Sequence, residues 1–199
     1  MVTIGVLLLV AIAVAAWLLI GGDDDPVEGA DPITFAVPDG PATEVPAVRI
    51  TVSASSYLPP NTEAGLTYGP ENLIDASLDT AWNSVTGPEE GRGETLVFRF
   101  SEPVELKTIR FVNGYTRTET AYRANHRVRS MTLVTDGSTE PSVVELLDIM
   151  ESQEIASDFG LTSKVELQVT DIYPGDGFSD PALTTDLALT EVTFFAVQR

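Results

Sequence analysis

Lys107, Arg110, Arg117, Arg123, Arg127 and Arg129 fall in one stretch of the chain, with Glu119 the only acid among them. The whole protein has 11 basic and 30 acidic residues and a formal charge of -19, so these six hold over half of its positive charge. A local surplus of cations on an acidic body marks a site for something anionic or hydroxyl-rich, or a buried ion-pair network tying loops together. The forks of Arg117, Arg123 and Arg127 can grip carboxylates or sugar hydroxyls. Tyr115 and Tyr122 offer faces for sugar rings or for a guanidinium. Asn125 and Arg127, close to the next strand, suit equally well a role in locking the loop through side-chain-to-backbone bonds.

A second set of groups lies between Tyr68 and Trp82. Asp75, Ser77, Asp79 and Thr80 bring several hard oxygens close together, which is what Ca²⁺ requires, although the spacing is not that of an EF-hand loop. An ordinary turn, with Asp75 capping a backbone N–H and Trp82 dropping into the core, accounts for the same residues. Glu191 is an acid among apolar residues near the end of the chain, a position that calls for a partner, either Ca²⁺ or an arginine. Signals for catalysis are poor: the chain has no cysteine and one histidine, His126, and lacks HExxH, GxSxG and a Gly-rich phosphate loop. The expectation is a protein that is not an enzyme.

The elements that must position these groups read as strands. Apolar and polar residues alternate in Val48 to Ala54, Thr95 to Phe100, Leu106 to Asn113, Val128 to Thr135, Val143 to Leu147, Lys164 to Ile172 and Leu187 to Val197. No long stretch has helical periodicity. About eight strands separated by Gly, Pro, Asp and Ser turns predict an all-β fold, an antiparallel two-sheet sandwich of jelly-roll type. Its long connections, Tyr57 to Glu94, Gly114 to Arg127 and Tyr173 to Asp186, are where a rigid scaffold would present chemistry.

Residues 2–20 form an uncharged apolar run, and at 1.5 Å per residue a helix of that length spans a bilayer core. The reading is a transmembrane anchor; a cleaved leader would call for a basic n-region and a small-residue cleavage site. Residues 21–47, rich in Gly, Pro and acids, predict an extended acidic linker. Residues 48–199 then form one domain, carrying all 11 basic residues and 23 of the 30 acids. That balance argues against a nucleic-acid partner and against docking on anionic lipid headgroups. The expected localisation is a single-pass membrane protein with its C-terminal domain outside the cytoplasm.

Four segments, NLIDxxxxTAW, FxNGYxRxxxxYxxNxRV, DIYPG and DLALTE, occur in that order. Together they resemble coagulation-factor 5/8 type C domains, the discoidin-like or galactose-binding-like group, and within it the branch of the glycan-binding translocation domain of streptococcal NAD glycohydrolase. The resemblance runs from about Val48 to Val197. It implies a jelly roll whose loops at one end bind a glycan, without catalytic activity. Asn113, Gly114, Tyr115, Tyr122, Asn125 and Arg127 match the branch's pattern, as do Asp186 and Glu191. It also implies a structural Ca²⁺ held by Asp75, Thr80 and Glu191, against which stands Ala76 in the place of the group's usual Gly.

The expected function is a membrane-anchored, non-catalytic carbohydrate-binding module for an envelope or surface glycan, with Tyr115, Arg117, Tyr122, Arg123, Asn125 and Arg127 as the ligand-binding residues, the last two also holding the loop in shape. The alternative is a scaffold that docks an envelope protein on the same face. Trp82 is expected to be buried.

Overall fold

The computed structural model describes residues 40–197, except 86, 139 and 180–184. The expected membrane helix at 2–20 and most of the expected linker lie outside the described residues. No helix among the described residues is long and apolar enough to cross a membrane.

Among the described residues eight strands carry the fold: β1 (Thr43–Glu44), β2 (Ile50–Ala54), β3 (Trp82–Asn83), β4 (Thr95–Asn113), β5 (His126–Thr135), β6 (Ser142–Glu145), β7 (Gln153–Tyr173) and β8 (Leu187–Val197). One short helix, α1 (Glu119–Ala124), lies in the loop between β4 and β5. The hydrogen-bonded order is β1-β8-β4-β7-β5-β6, with β2 on β4 and β3 on β8. β4 and β7 belong to both layers. Their register breaks between Arg99 and Val104, where the sheet folds over. The two stretches expected as separate strands, 95–100 and 106–113, are therefore one long bent strand. Among the described residues nearly all pairings are antiparallel; the exceptions are a short parallel match of His126 and Arg127 to Leu187 and Ala188 and an isolated parallel bridge between Gly114 and Leu189.

The alternation in the sequence is realised as burial. Leu96, Phe98 and Phe100 on the first half of β4, and Ile109 and Phe111 on the second, point inward with Val165, Leu167 and Phe194. Phe194 meets Phe98 and Phe100 edge to face, at 5.0 and 5.2 Å between centroids. Each such pair contributes about 1 kcal/mol beyond burial alone. Trp82 is fully buried as expected, its indole N–H donating to the Ser56 carbonyl at 2.9 Å.

The sheet begins earlier than the sequence reading placed it. Thr43 and Glu44 pair with Ala196 and Phe195, and Val45 is buried, so the end of the expected linker is part of the sandwich. The strand ends also define two poles. β1 lies beside the C-terminal end of β8, whereas the three long loops leave from the opposite ends of β2, β4, β5, β7 and β8. Along β8, from Leu187 to Phe195, the poles are roughly 26 Å apart at about 3.3 Å per residue.

Candidate functional site

At the loop pole lies a cleft of about 740 Å³. One wall is Leu58, Pro59 and Pro60 from the loop after β2; the rest includes Tyr68, Asn83, Tyr115, Arg117, Asn125, Phe178 and Asp186. Tyr115 packs with Ala81 and Ala188 beneath it, and Tyr68 and Ala121 flank that cluster. Burial is the main reason the Tyr68 hydroxyl holds its proton more tightly than an ordinary tyrosine; Tyr115 and Asp186 push the same way and Arg117 opposes them. Those four side chains therefore share one electrostatic neighbourhood. The Asn83 Oδ1 and Tyr115 hydroxyl atoms are buried and have no hydrogen-bond partner. Unsatisfied polar atoms are uncommon inside proteins, and here two line one cleft.

The residues singled out from sequence divide into two groups. Tyr115, Arg117 and Asn125 line the cleft. Arg117 is exposed, and among the described residues no carboxylate pairs with it. Arg123 is also exposed, but is engaged by Glu119 one helical turn earlier, at 2.9 Å. The middle of the basic loop was expected to be exposed; Tyr115 and Tyr122 are instead each 7 % exposed. Thr118 explains part of this, because it caps α1 by accepting from the Ala121 N–H and so turns Tyr122 inward.

Tyr122 and Arg127 meet at Asp148, a residue that sequence reasoning missed. The Tyr122 hydroxyl donates to Asp148 Oδ1 at 2.8 Å, and Arg127 grips the same carboxylate through Nε at 2.9 Å and Nη2 at 2.7 Å. Arg127 also lies over the Tyr122 ring and donates to the carbonyls of Asn125 and Pro174. The Arg127 bonds hold the Asp148 carboxyl below its usual range, while burial and then Asp148 push the Tyr122 hydroxyl well above its own. Gly114, at φ +75°, lies against both side chains; a Cβ there would come within 2.6 Å of the Tyr122 ring and 2.7 Å of Arg127 Cγ. The Asn113-Gly114 pair thus serves as a close-packing position as much as a turn.

Asn125 and His126 fasten the opposite wall. Asn125 Oδ1 accepts from the Asp186 N–H, and Nδ2 donates to the Ala121 carbonyl. His126 Nδ1 accepts from the Gly175 N–H at 2.9 Å, and burial lowers the imidazole's affinity for a proton. The single histidine is thereby committed to the loop that carries Phe178.

Beside the cleft, Asp75 accepts from the Ser77 N–H at 2.9 Å and from the Thr80 hydroxyl at 2.7 Å. That is the turn-capping arrangement weighed from sequence. Glu191 lies close by; its Oε2 is buried without a partner, and burial, then Asp75, pushes the carboxyl up to about 8. Ala76 adopts φ +60°, so the loop takes the left-handed path even without the glycine. Among the described residues no three His, Asp or Glu side chains converge as a metal cluster. Two carboxylates, the Thr80 hydroxyl and loop carbonyls are nevertheless the hard oxygen donors Ca²⁺ takes, and a cation answers the orphaned Glu191 oxygen. These residues fit the ion.

Solved structures of similar fold include three that the chain matches over nearly their whole length. CpGH89CBM32-5 of Clostridium perfringens, solved with GalNAc-β-1,3-galactose, shares 15% identity at a TM-score of 0.55, covering 77% of this chain and 100% of that one. The family 32 CBM of C. perfringens NanJ, solved with galactose, shares 12% at 0.55 over 77% and 98%. An F5/8 type C domain of Bacteroides fragilis shares 16% at 0.54 over 80% and 99%. Among curated proteins none is detectably similar in sequence. The family described as the NAD glycohydrolase translocation F5/8 type C domain matches residues 45–195, and with that match the chain belongs to it.

Proposed function

We propose that the domain is a non-catalytic glycan-binding module that takes a carbohydrate into the loop-pole cleft. The observation that carries this reading is the cleft's chemistry: aromatic rings, an exposed Arg117 that no carboxylate among the described residues pairs with, and two buried polar atoms, Asn83 Oδ1 and the Tyr115 hydroxyl, left without partners there. A sugar presents apolar ring faces and hydroxyls that both donate and accept, which suits that lining. Two neighbours of like fold were solved with galactose-containing ligands, which adds support. The test is an array of immobilised oligosaccharides, galactose and N-acetylgalactosamine termini among them, probed with residues 40–199. Arg117→Ala should fold normally and lose about 10-fold or more in affinity, the loss expected for a charge-assisted hydrogen bond. No binding to any glycan would overturn the reading. Crosslinking from residues 115–125 to one protein, indifferent to added oligosaccharide, would replace it with the scaffold.

The same reading includes a structural Ca²⁺ at Asp75, Thr80 and Glu191, where the ion would stabilise the 75–80 loop by neutralising two adjacent carboxylates. It also includes a membrane anchor at 2–20 and an extracytoplasmic domain. Support for these comes from the apolar run and the acidic stretch after it. Resistance of the full-length chain to carbonate extraction, with the domain open to protease added outside intact cells, is the expected result.

A further inference from the structure

The loop that fits Ca²⁺ and the rim of the cleft are joined by a short chain of hydrogen bonds centred on Thr190. Its side chain is fully buried, next to Glu191 in β8. Thr190 Oγ1 donates to the Gly114 carbonyl at 2.7 Å and accepts from the Thr116 N–H at 3.1 Å. The Thr116 hydroxyl contacts Thr190 Oγ1 at 3.2 Å and donates to the Leu78 carbonyl at 3.1 Å. Leu78 lies within the 75–80 loop, between Asp75 and Thr80. Arg117, the cleft's exposed cation, follows Thr116 directly. The far end of the same loop runs into Ala81, which packs under Tyr115, and the Ala81 carbonyl is held by Asn72 Nδ2 at 2.8 Å.

We propose that Thr190 and Thr116 are positioning residues that couple occupation of the cation site at Asp75 and Glu191 to the shape of the cleft at Tyr115 and Arg117. The inference rests on the Ca²⁺ reading above. A cation drawing Asp75 and Glu191 together narrows the range of positions open to the 75–80 loop. Leu78 passes that restriction to Thr116, and Thr190 passes it along β8 from Glu191. Both routes end on the backbone at 114–117. Neither threonine touches the cleft, so each acts through Arg117 and Tyr115 rather than on the ligand. Coupling is reciprocal, so a ligand that orders the rim tightens the cation site by the same factor.

Amide hydrogen exchange with CaCl₂ alone as probe, on the full chain, tests this without a known sugar. In the wild type, Ca²⁺ should slow exchange over both 75–80 and 114–118, the latter by about 10-fold, within the usual range of site-to-site coupling. Thr116→Val keeps the backbone bond to Thr190 but cuts the link to Leu78. Calorimetry should show it binding Ca²⁺ near wild-type affinity, with protection at 75–80 kept and at 114–118 reduced. Thr190→Val should abolish protection at 114–118; if it unfolds, Thr116→Val still decides the matter. Ca²⁺ binding that protects 75–80 only, or protection at 114–118 unchanged in Thr116→Val, overturns the coupling and leaves the Ca²⁺ reading standing. No heat of Ca²⁺ binding in the wild type overturns both.

Discussion

Tyr115 and Tyr122 have the same side chain and the same burial, yet their hydroxyls predict opposite outcomes. The Tyr122 hydroxyl donates to Asp148, so Tyr122→Phe should cost about 1.5 kcal/mol, lowering Tm by a few degrees and leaving glycan binding intact. The Tyr115 hydroxyl has no partner, so Tyr115→Phe should leave Tm unchanged or raise it while weakening glycan binding. Scanning fluorimetry and the array read both variants. Arg127→Ala removes a largely buried guanidinium that holds a carboxylate and two carbonyls together, a loss of about 3 kcal/mol visible in urea unfolding. From sequence, the arginines and tyrosines were legible as a concentration of chemistry, and the loop-locking role of Asn125 and Arg127 was already weighed. What decided between ligand and lock was Asp148, brought to Tyr122 and Arg127 only by strand pairing, and no local pattern announces such a partner.

The 174–178 segment is held to β5 by His126, and that element carries a pH dependence. The fold lowers the imidazole pKa from its ordinary 6.5, so the unfolded chain takes up a proton that the folded domain resists. This contribution to stability is complete above about pH 6.5 and is lost as pH falls through the folded value. Over the same range Glu191, whose carboxyl is pushed up to about 8, works the other way by holding a proton that the unfolded chain has given up, so the measurable quantity is a difference: the stability margin of the wild type over His126→Gln should shrink between pH 7 and pH 5. Asp148, whose pKa is lowered from 3.8, adds a separate loss only at more acid pH. The 75–80 loop carries a second expectation, since Ala76 at φ +60° is in a region costly for any residue with a Cβ. Ala76→Gly should raise Tm by roughly 2 °C, the entropy of glycine offsetting part of the relief. Strands with clean alternation, such as β8, were legible with their bounds. The first half of β7 was not, because Ser157, Asp158, Gly160 and Ser163 interrupt its pattern. Two-residue β1 and β3 are too short to show any period, and α1 is too brief for an apolar stripe.

For the whole molecule, the sequence made the sandwich legible through its strand count, while the path of β4 and β7 from one layer into the other was hidden in Ser101 to Pro103 and Gly160, which read as turns. The charge imbalance was plain from the start and has a measurable effect: an excess of acids repels itself, so Tm should rise between 10 mM and 150 mM NaCl. At 150 mM NaCl a further rise with 1 mM CaCl₂, absent with MgCl₂ and absent in Glu191→Gln, would separate a specific ion from screening. The placement of β1 beside the end of β8, at the pole away from the cleft, has a mechanical meaning as well. If the chain upstream of Gly40 is held while a ligand in the cleft is pulled, tension runs along the strands rather than across them. The ladders joining β1 to β8 and β2 to β4 then bear that load in shear, all their rungs resisting together, instead of opening one at a time.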